Sequence, residues 1–428
     1  MSKLEKFLFF SIISSIPLNL GKHFILESSF VYGKLIDYLI PTIYVQDILI
    51  LALFLVWLFL FLRAGLSLGK DFFKEVFSSV LAILRTWEVA FLILFIASVF
   101  LSVLSAKFPV SAWYEFSRLG LYVFFALYTF GKFKFFQYKD YLLTIFAILL
   151  FLLSLLGIAQ WIKQSSVFNN YLFFGEQPYS LSTPQIVKVN FAGVSRVPPY
   201  GTFRHPNTFA AYLVFASLLI IGLRPKKKIF CLPVFLGFFC LLLTCSRLGL
   251  AGFILGLLII LLPKKYIRPI ARVSFATALF ITILILLSNS VDPSTFRRQN
   301  LLLTGIALFL QYPLFGVGLD NFTYFVDLLS IELGFPKFTQ PVHNFYLLLL
   351  VESGIFSLLF VLLFLASIFH KLIGSVQHRL SGKYPRLFLA LLLSLLIPAF
   401  FDHFLTTSHQ INLLFWLTIG LSLQYNLT

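Results

Sequence analysis

The residues in this chain able to do chemistry fall in short polar clusters: Arg196 to Asn207, Thr244 to Arg247, Arg297 with Arg298, His343 with Asn344, and Asp402 with His403. A histidine accepts a proton near neutral pH, which makes His343 a candidate base. Asn344 beside it is placed to orient the ring or to bond a sugar hydroxyl. Arginine is always charged and offers a planar fork of donors that fits phosphate oxygens. Arg196, Arg204, Arg247 and Arg298 are therefore candidates to grip a phosphate or diphosphate. By residue type alone, anchoring to lipid headgroups or pairing with a carboxylate explains them equally well. Asp402 and His403 have two readings, a polar closure of a helix end and a substrate contact.

Adjacent residues on a helix point apart, so Asp402-His403 is not metal-ligand spacing. No other carboxylate cage is present, and no metal is expected. Cys231, Cys240 and Cys245 fall within or at the ends of one expected span. They form neither a ligand spacing nor an external disulfide framework. Glu352 stands nine residues after His343, on the opposite face of a helix, and reads as a packing or backbone-satisfying residue.

The elements that must position these groups are apolar. The chain has 428 residues, 60% hydrophobic and 11% charged. Repeated apolar runs of about 18 residues read as transmembrane helices. Continuous Leu/Phe/Ile runs exclude alternating barrel strands. Spans are expected near 6–20, 46–63, 87–105, 117–131, 141–160, 207–223, 229–244, 247–263, 270–289, 344–370, 387–402 and 410–425. The first resembles a signal peptide in charge and length and is read as a retained span. The expectation is an all-α polytopic membrane protein of about a dozen helices, with residues 1–428 in one integral membrane domain.

That count puts both termini on one side. The short loops and helix ends of that side hold 21 of the 33 basic residues, among them Arg85, Lys226 to Lys228, Lys264, Lys265 and Arg379. The positive-inside rule makes the side cytoplasmic. This also accounts for the net charge of +17 without nucleic acid, for which no binding motif is present. All the polar clusters then lie on the external face. Two long external loops, about 161–206 and 290–343, carry most of them and are expected to form the active-site face. Within the second loop, Arg298 to Tyr312 has the spacing of an interfacial amphipathic helix that Arg298 opens.

In this order the clusters resemble the O-antigen ligase family. The matching segments are Tyr200-Gly-Thr-Phe-Arg-His-Pro-Asn207, Thr244-Cys-Ser-Arg247, Arg298 ahead of Pro313-Leu-Phe-Gly316-Val-Gly318-Leu-Asp-Asn321-Phe322, and His343-Asn344 leading to Glu352-Ser-Gly354. Leu20-Gly-Lys-His-Phe24 and Asp402-His403 look like one branch of it. Leu302, Thr406 and Ile411 depart from the common pattern. The resemblance implies a C-type glycosyltransferase-like fold in the cytoplasmic membrane. It implies a glycan donor carried on a polyprenyl diphosphate, usually undecaprenyl diphosphate, with a lipid, glycan or protein acceptor and neither cofactor nor metal. Carried over, Arg247 and Arg298 would hold the diphosphate, with Arg204 a further candidate. His343 would activate the acceptor hydroxyl. Arg196, Tyr200, Asn207, Ser246, Asn321, Asn344, Asp402 and His403 would contact substrate or support those that do. A polymerase of the same superfamily shares donor and fold. A transporter or lipid flippase would also explain many helices, but discontinuous helices and paired repeats near the midplane are expected there, and no repeated halves are visible.

Overall fold

The computed structural model describes the chain except residues 32, 85, 185, 224, 289–292, 327–338, 379–382 and 425–428, and except the side chains of 68–84, 293, 377 and 378. Arg85, Arg224 and Arg379 of the basic set, and residues 327–338 of the second loop, thus lie outside the described residues.

The protein is an all-α membrane protein, with three small two-stranded sheets in its connections among the described residues. Its helices in chain order are α1 (Lys3–Ser15), α2 (Val45–Leu84), α3 (Trp87–Leu104), α4 (Pro109–Lys132), α5 (Phe135–Lys163), α6 (Pro206–Leu223), α7 (Cys231–Leu243), α8 (Arg247–Leu261), α9 (Ile267–Leu287), α10 (Pro293–Gln311), α11 (Phe345–His378), α12 (Lys383–Leu396), α13 (Phe404–Thr407) and α14 (His409–Leu423). Among the described residues, seven segments are long and apolar enough to cross a membrane: Val45–Ser67, Trp87–Leu104, Phe135–Lys163, Pro206–Leu223, Lys264–Leu287, Phe345–Val376 and Lys383–Phe400. The other five expected spans correspond to helices that fall short of this test. The helix Lys3–Ser15 has 13 residues and His409–Leu423 has 15, and Lys228–Leu243 and Arg247–Leu261 are apolar but short. Helix α4 carries Glu115 and Arg118 inside its length.

The core forms around α6 and α12. In α6, 89% of the span is buried, against 11% in α9, so α6 is central and α9 peripheral. Helix α12 packs on α6 and α8, α14 lies along α4, α5 along α7, and α11 along α3. A stripe of small residues on α8 permits its close approach to α6 and α12. A Cβ on Gly249 would stand 2.7 Å from the Ala210 side chain, and one on Gly252 would stand 2.9 Å from the Ser394 carbonyl oxygen. Small residues let membrane helices meet backbone to backbone. Here they bring the N-terminus of α8 against the first turn of α6.

Both long connections are tied to the bundle. In the first, the Gln160 side chain donates to Glu176 (2.7 Å) and the Gly201 carbonyl (2.9 Å), while its oxygen accepts from Gly201 N–H (2.8 Å). Strands Val189–Phe191 and Val194–Arg196 form a hairpin in the same loop. The second holds α10, which starts at Pro293, so Arg298 sits one turn inside the helix instead of opening it.

Helix α11 is interrupted at Gly354, whose φ of 78° lies in the left-handed region. The carbonyls freed by the break are taken by the second loop. Val317 N–H donates to Val351 O (2.9 Å), Gly318 N–H to Glu352 O (3.0 Å), and Ile355 N–H to Pro313 O (2.9 Å). The Glu352 carboxylate accepts from Phe322 N–H (3.2 Å). The segments Gly316 to Phe322 and Glu352 to Gly354 are thus two sides of one joint, and Glu352 satisfies backbone there.

Candidate functional site

At one end of the bundle, three connections converge on His343, Asp402 and His403. Helix α12 ends at Leu396, well before the expected boundary at 402. A 3-10 turn at Pro398–Phe400 and the short α13 follow, leaving Asp402 and His403 on non-helical backbone between them. They therefore do not close the end of α12; His403 takes the N-cap position of α13 without a side-chain cap bond. The Asp402 carboxylate accepts from His403 N–H (2.8 Å) and from the Asn207 amide (3.1 Å). Asn207 lies in the first turn of α6. Its oxygen accepts from the Ser246 hydroxyl (2.8 Å), and that hydroxyl caps α8 by accepting from Gly249 N–H (3.1 Å). One line of hydrogen bonds thus runs from the start of α8 through α6 to Asp402.

The His343 and His403 rings stand perpendicular, 5.1 Å apart at their centroids. Nδ1 of His403 pairs with the Thr407 hydroxyl (2.8 Å), and Tyr38 meets its ring edge-on at 5.6 Å. His343 is half-buried, and its buried Nδ1 has no hydrogen-bond partner among the described residues. His205 joins the group by accepting from Asn207 N–H (3.1 Å).

Asp402 is the only described carboxylate in this group, and its charge sets the titration of the rest. Burial pushes His343 far below the ordinary histidine range, and the positive fields of His403, Arg298 and His205 add to that; Asp402 opposes them. His403 and His205 are lowered for the same reasons, burial first. Burial works against the Asp402 charge. The three histidines and the Asn207 amide outweigh it and hold the carboxyl below the usual range. Near neutral pH the group therefore presents neutral imidazoles, one carboxylate and the Arg298 cation.

The remaining expected site residues divide. Arg298, on α10, acts on all three histidines through its field. Arg204 is half-buried and pairs with His23 Nε2 (3.0 Å). Arg247 is exposed at the first position of α8, next in the chain to Ser246. No described contact joins it to the histidines. Arg196 lies over the Trp161 ring (5.5 Å), outside this cluster. The Tyr200 hydroxyl accepts from Val187 N–H (3.0 Å) and steadies the first loop. Asn321 clamps Phe108, accepting from its N–H (2.8 Å) and donating to its carbonyl (3.2 Å). The Asn344 side chain caps α11 through Leu347 N–H (2.9 Å) and has no described bond to the His343 ring. Tyr38, His205 and Thr407 were missed by the sequence reading. His205 had a signal in Arg204-His205-Pro206-Asn207, whereas Tyr38 and Thr407 had none.

A cavity opens beside the cluster. Tyr38, Arg204, Pro341 and Thr407 line its part nearest the histidines, and Phe95, Val99, Val361, Leu365, Phe415 and Trp416 line an apolar part. Among the described residues, no group of three or more His, Cys, Asp or Glu is placed to hold a metal ion.

No curated protein matches this chain. Residues 232–362 match a family model described as O-Antigen ligase. The matched segment runs from α7 into α11 and contains Ser246, Arg247, Arg298, Asn321 and His343. Asn207, Asp402 and His403 lie outside it and reach it only through the fold. By this match residues 232–362, which hold Arg247, Arg298 and His343, are similar to the O-antigen ligase family.

Proposed function

We propose that this protein transfers a glycan from a polyprenyl diphosphate, of the undecaprenyl type, to an acceptor hydroxyl at the external face of the cytoplasmic membrane. The observation that carries the reading is the convergence of His343, His403, Asp402 and Asn207 beside a cavity with a large apolar part. An acid–base group, cations and an apolar chamber are the three needs of a lipid-linked sugar donor.

In this reading the cations stabilise the charge that grows on the diphosphate as it leaves, which is the larger part of the catalysis. Arg298 acts on the histidines through its field, Arg204 lines the cavity, and Arg247 stands at the start of α8. His343 is neutral and takes the proton of the attacking hydroxyl. Asp402, fixed through Asn207 and Ser246, stabilises the imidazolium that forms. Attack on the anomeric carbon as the diphosphate departs inverts the configuration there. This reading takes the expected dozen spans with both termini inside, a topology that would put the chemistry outside.

The test is transfer by purified protein in liposomes, from a polyprenyl-diphosphate oligosaccharide to a panel of lipid, glycan and peptide acceptors, with EDTA present. Transfer by wild type that falls about 10²–10⁴-fold in His343→Ala supports the reading. The acceptor used separates ligase from polymerase. Movement of the donor across the bilayer with no transfer to any acceptor would replace the reading by a transporter.

A further inference from the structure

We propose that Glu115, Arg118, Asp320 and Thr323 form a subsite for a sugar ring that is neutral or carries an amine, and that this subsite rejects rings with acidic groups. The proposal rests on the glycosyl-transfer reading above and adds a specificity element to it.

All four residues line the cavity. Arg118 is 7% exposed and lies among three aromatic rings, those of Tyr44 (5.4 Å), Tyr114 (5.5 Å) and Tyr122 (5.5 Å). Its Nη1 pairs with Glu115 (2.9 Å) and its Nη2 donates to the Tyr122 hydroxyl. Its Nε has no partner among the described residues. Thr323 is 3% exposed, and its hydroxyl has none either. Each such buried group is destabilising while unmet. A hydrocarbon tail at this level of the cavity would cover the polar groups of Glu115, Arg118, Asp320 and Glu352 without bonding them, so the occupant here is polar.

Charge decides which polar group fits. Arg118 is the one described cation at this wall and is already paired with Glu115, while Asp320 and Glu352 bring two further carboxyls. A phosphate or uronate placed here would meet carboxyls without a free cation. Burial and the neighbouring Glu115 and Glu352 push the Asp320 carboxyl well above the usual range, so it both donates and accepts. A sugar hydroxyl also does both, and it complements an arginine N–H, a threonine hydroxyl and a carboxyl together. The cations that suit phosphate, Arg204 and Arg298, stand instead toward the histidines.

The experiment measures binding of octyl β-glucoside, octyl glucosaminide, octyl β-glucuronide and octyl phosphate to the full chain in nanodiscs prepared without glycoside detergent. Wild type is expected to bind the glucoside and the glucosaminide about tenfold tighter than the glucuronide. The near-isosteric Thr323→Val should weaken the glucoside several-fold and leave octyl phosphate unchanged. Glu115→Gln, which frees the Arg118 guanidinium from its carboxylate, should erase the discrimination against glucuronide. Melting temperatures identify any variant that fails to fold, and Thr323→Val then carries the test alone. Equal binding of glucoside and glucuronide by wild type, or a Thr323→Val variant indistinguishable from it, overturns the proposal. Failure of this proposal leaves His343-dependent transfer by wild type intact. Failure of the transfer reading removes that transfer whatever the glycosides do.

Discussion

Replacing His403 by Gln should move the acid limb of the transfer reaction to higher pH. The His343 and His403 rings are 5.1 Å apart. Two protonated imidazoles at that separation, with an effective dielectric near 20, repel by about 3 kcal/mol. That equals about two pKa units. Burial and the His403 field are the two largest reasons His343 lies so low. In wild type His403 takes a proton first, and His343 then stays neutral well into acid. Without the second imidazole, His343 keeps the burial effect and loses the repulsion, so its pKa rises by up to about two units. A base is inactive once protonated, so kcat/KM of the variant falls in mild acid where wild type still turns over. Gln retains an amide that can meet Thr407, which limits damage to the loop. The assay is the pH profile of kcat/KM from about pH 3 to 8.5, each protein normalised to its own plateau. A limb at the same pH as wild type, or lower, from a variant with an unchanged melting temperature would refute the reasoning.

Three further outcomes follow from the same geometry. Asn207→Ala removes the amide that joins Asp402 to Ser246 (3.1 and 2.8 Å) and leaves both partners short of a bond; a loss of about 1–3 kcal/mol is expected, read as a lower melting temperature together with reduced transfer. Arg298→Ala should weaken the donor interaction and also raise the acid limb, because the Arg298 field depresses His343, whereas Arg247→Ala should change donor affinity with the limb unmoved. Gly354→Ala places a Cβ on the Leu314 carbonyl oxygen at a φ of 78°, so a stability loss of at least about 1–3 kcal/mol should appear in thermal melts and yield.

The sequence shows residue types and periods, and it loses information where packing brings distant segments together. The apolar runs, the basic loops and the cluster at His343 were legible because each is local. Ser246, Asn207 and Asp402 were each visible as polar residues at expected helix ends. Their bonding was not, because it depends on Gly249 and Gly252 letting α8 close on α6 and α12. The helix boundary at 402 was misplaced because Phe400-Phe401 continues an apolar run past Leu396, while the chain turns at Pro398. Glu352 and Gly354 looked like interior residues of one long span. The break was hidden because its freed carbonyls find their donors in Val317 and Gly318, more than thirty residues away in sequence. Asn321 and Asn344 carry polarity that suggested substrate contact; Asn321 bonds backbone with both its oxygen and its nitrogen, and the Asn344 oxygen caps α11.

The charge balance around His343 makes its basicity depend on the donor. Without substrate, Arg298, His403 and His205 act against protonation and Asp402 alone favours it. A base held this low is neutral and ready, but it binds the acceptor proton weakly. A diphosphate arriving beside Arg298 adds negative charge and offsets that cation, which raises the His343 pKa toward its ordinary value. The base then strengthens only when a donor is bound, so an acceptor hydroxyl is not activated in an empty site. The sign is testable, because kcat/KM reports the free enzyme and kcat the loaded one. The acid limb of kcat is expected at higher pH than that of kcat/KM, and Arg298→Ala is expected to narrow the gap by raising the kcat/KM limb. Coincident limbs in wild type would mean that the donor phosphates do not reach the field of His343, and the diphosphate would then have to sit elsewhere on the rim, nearer the exposed Arg247.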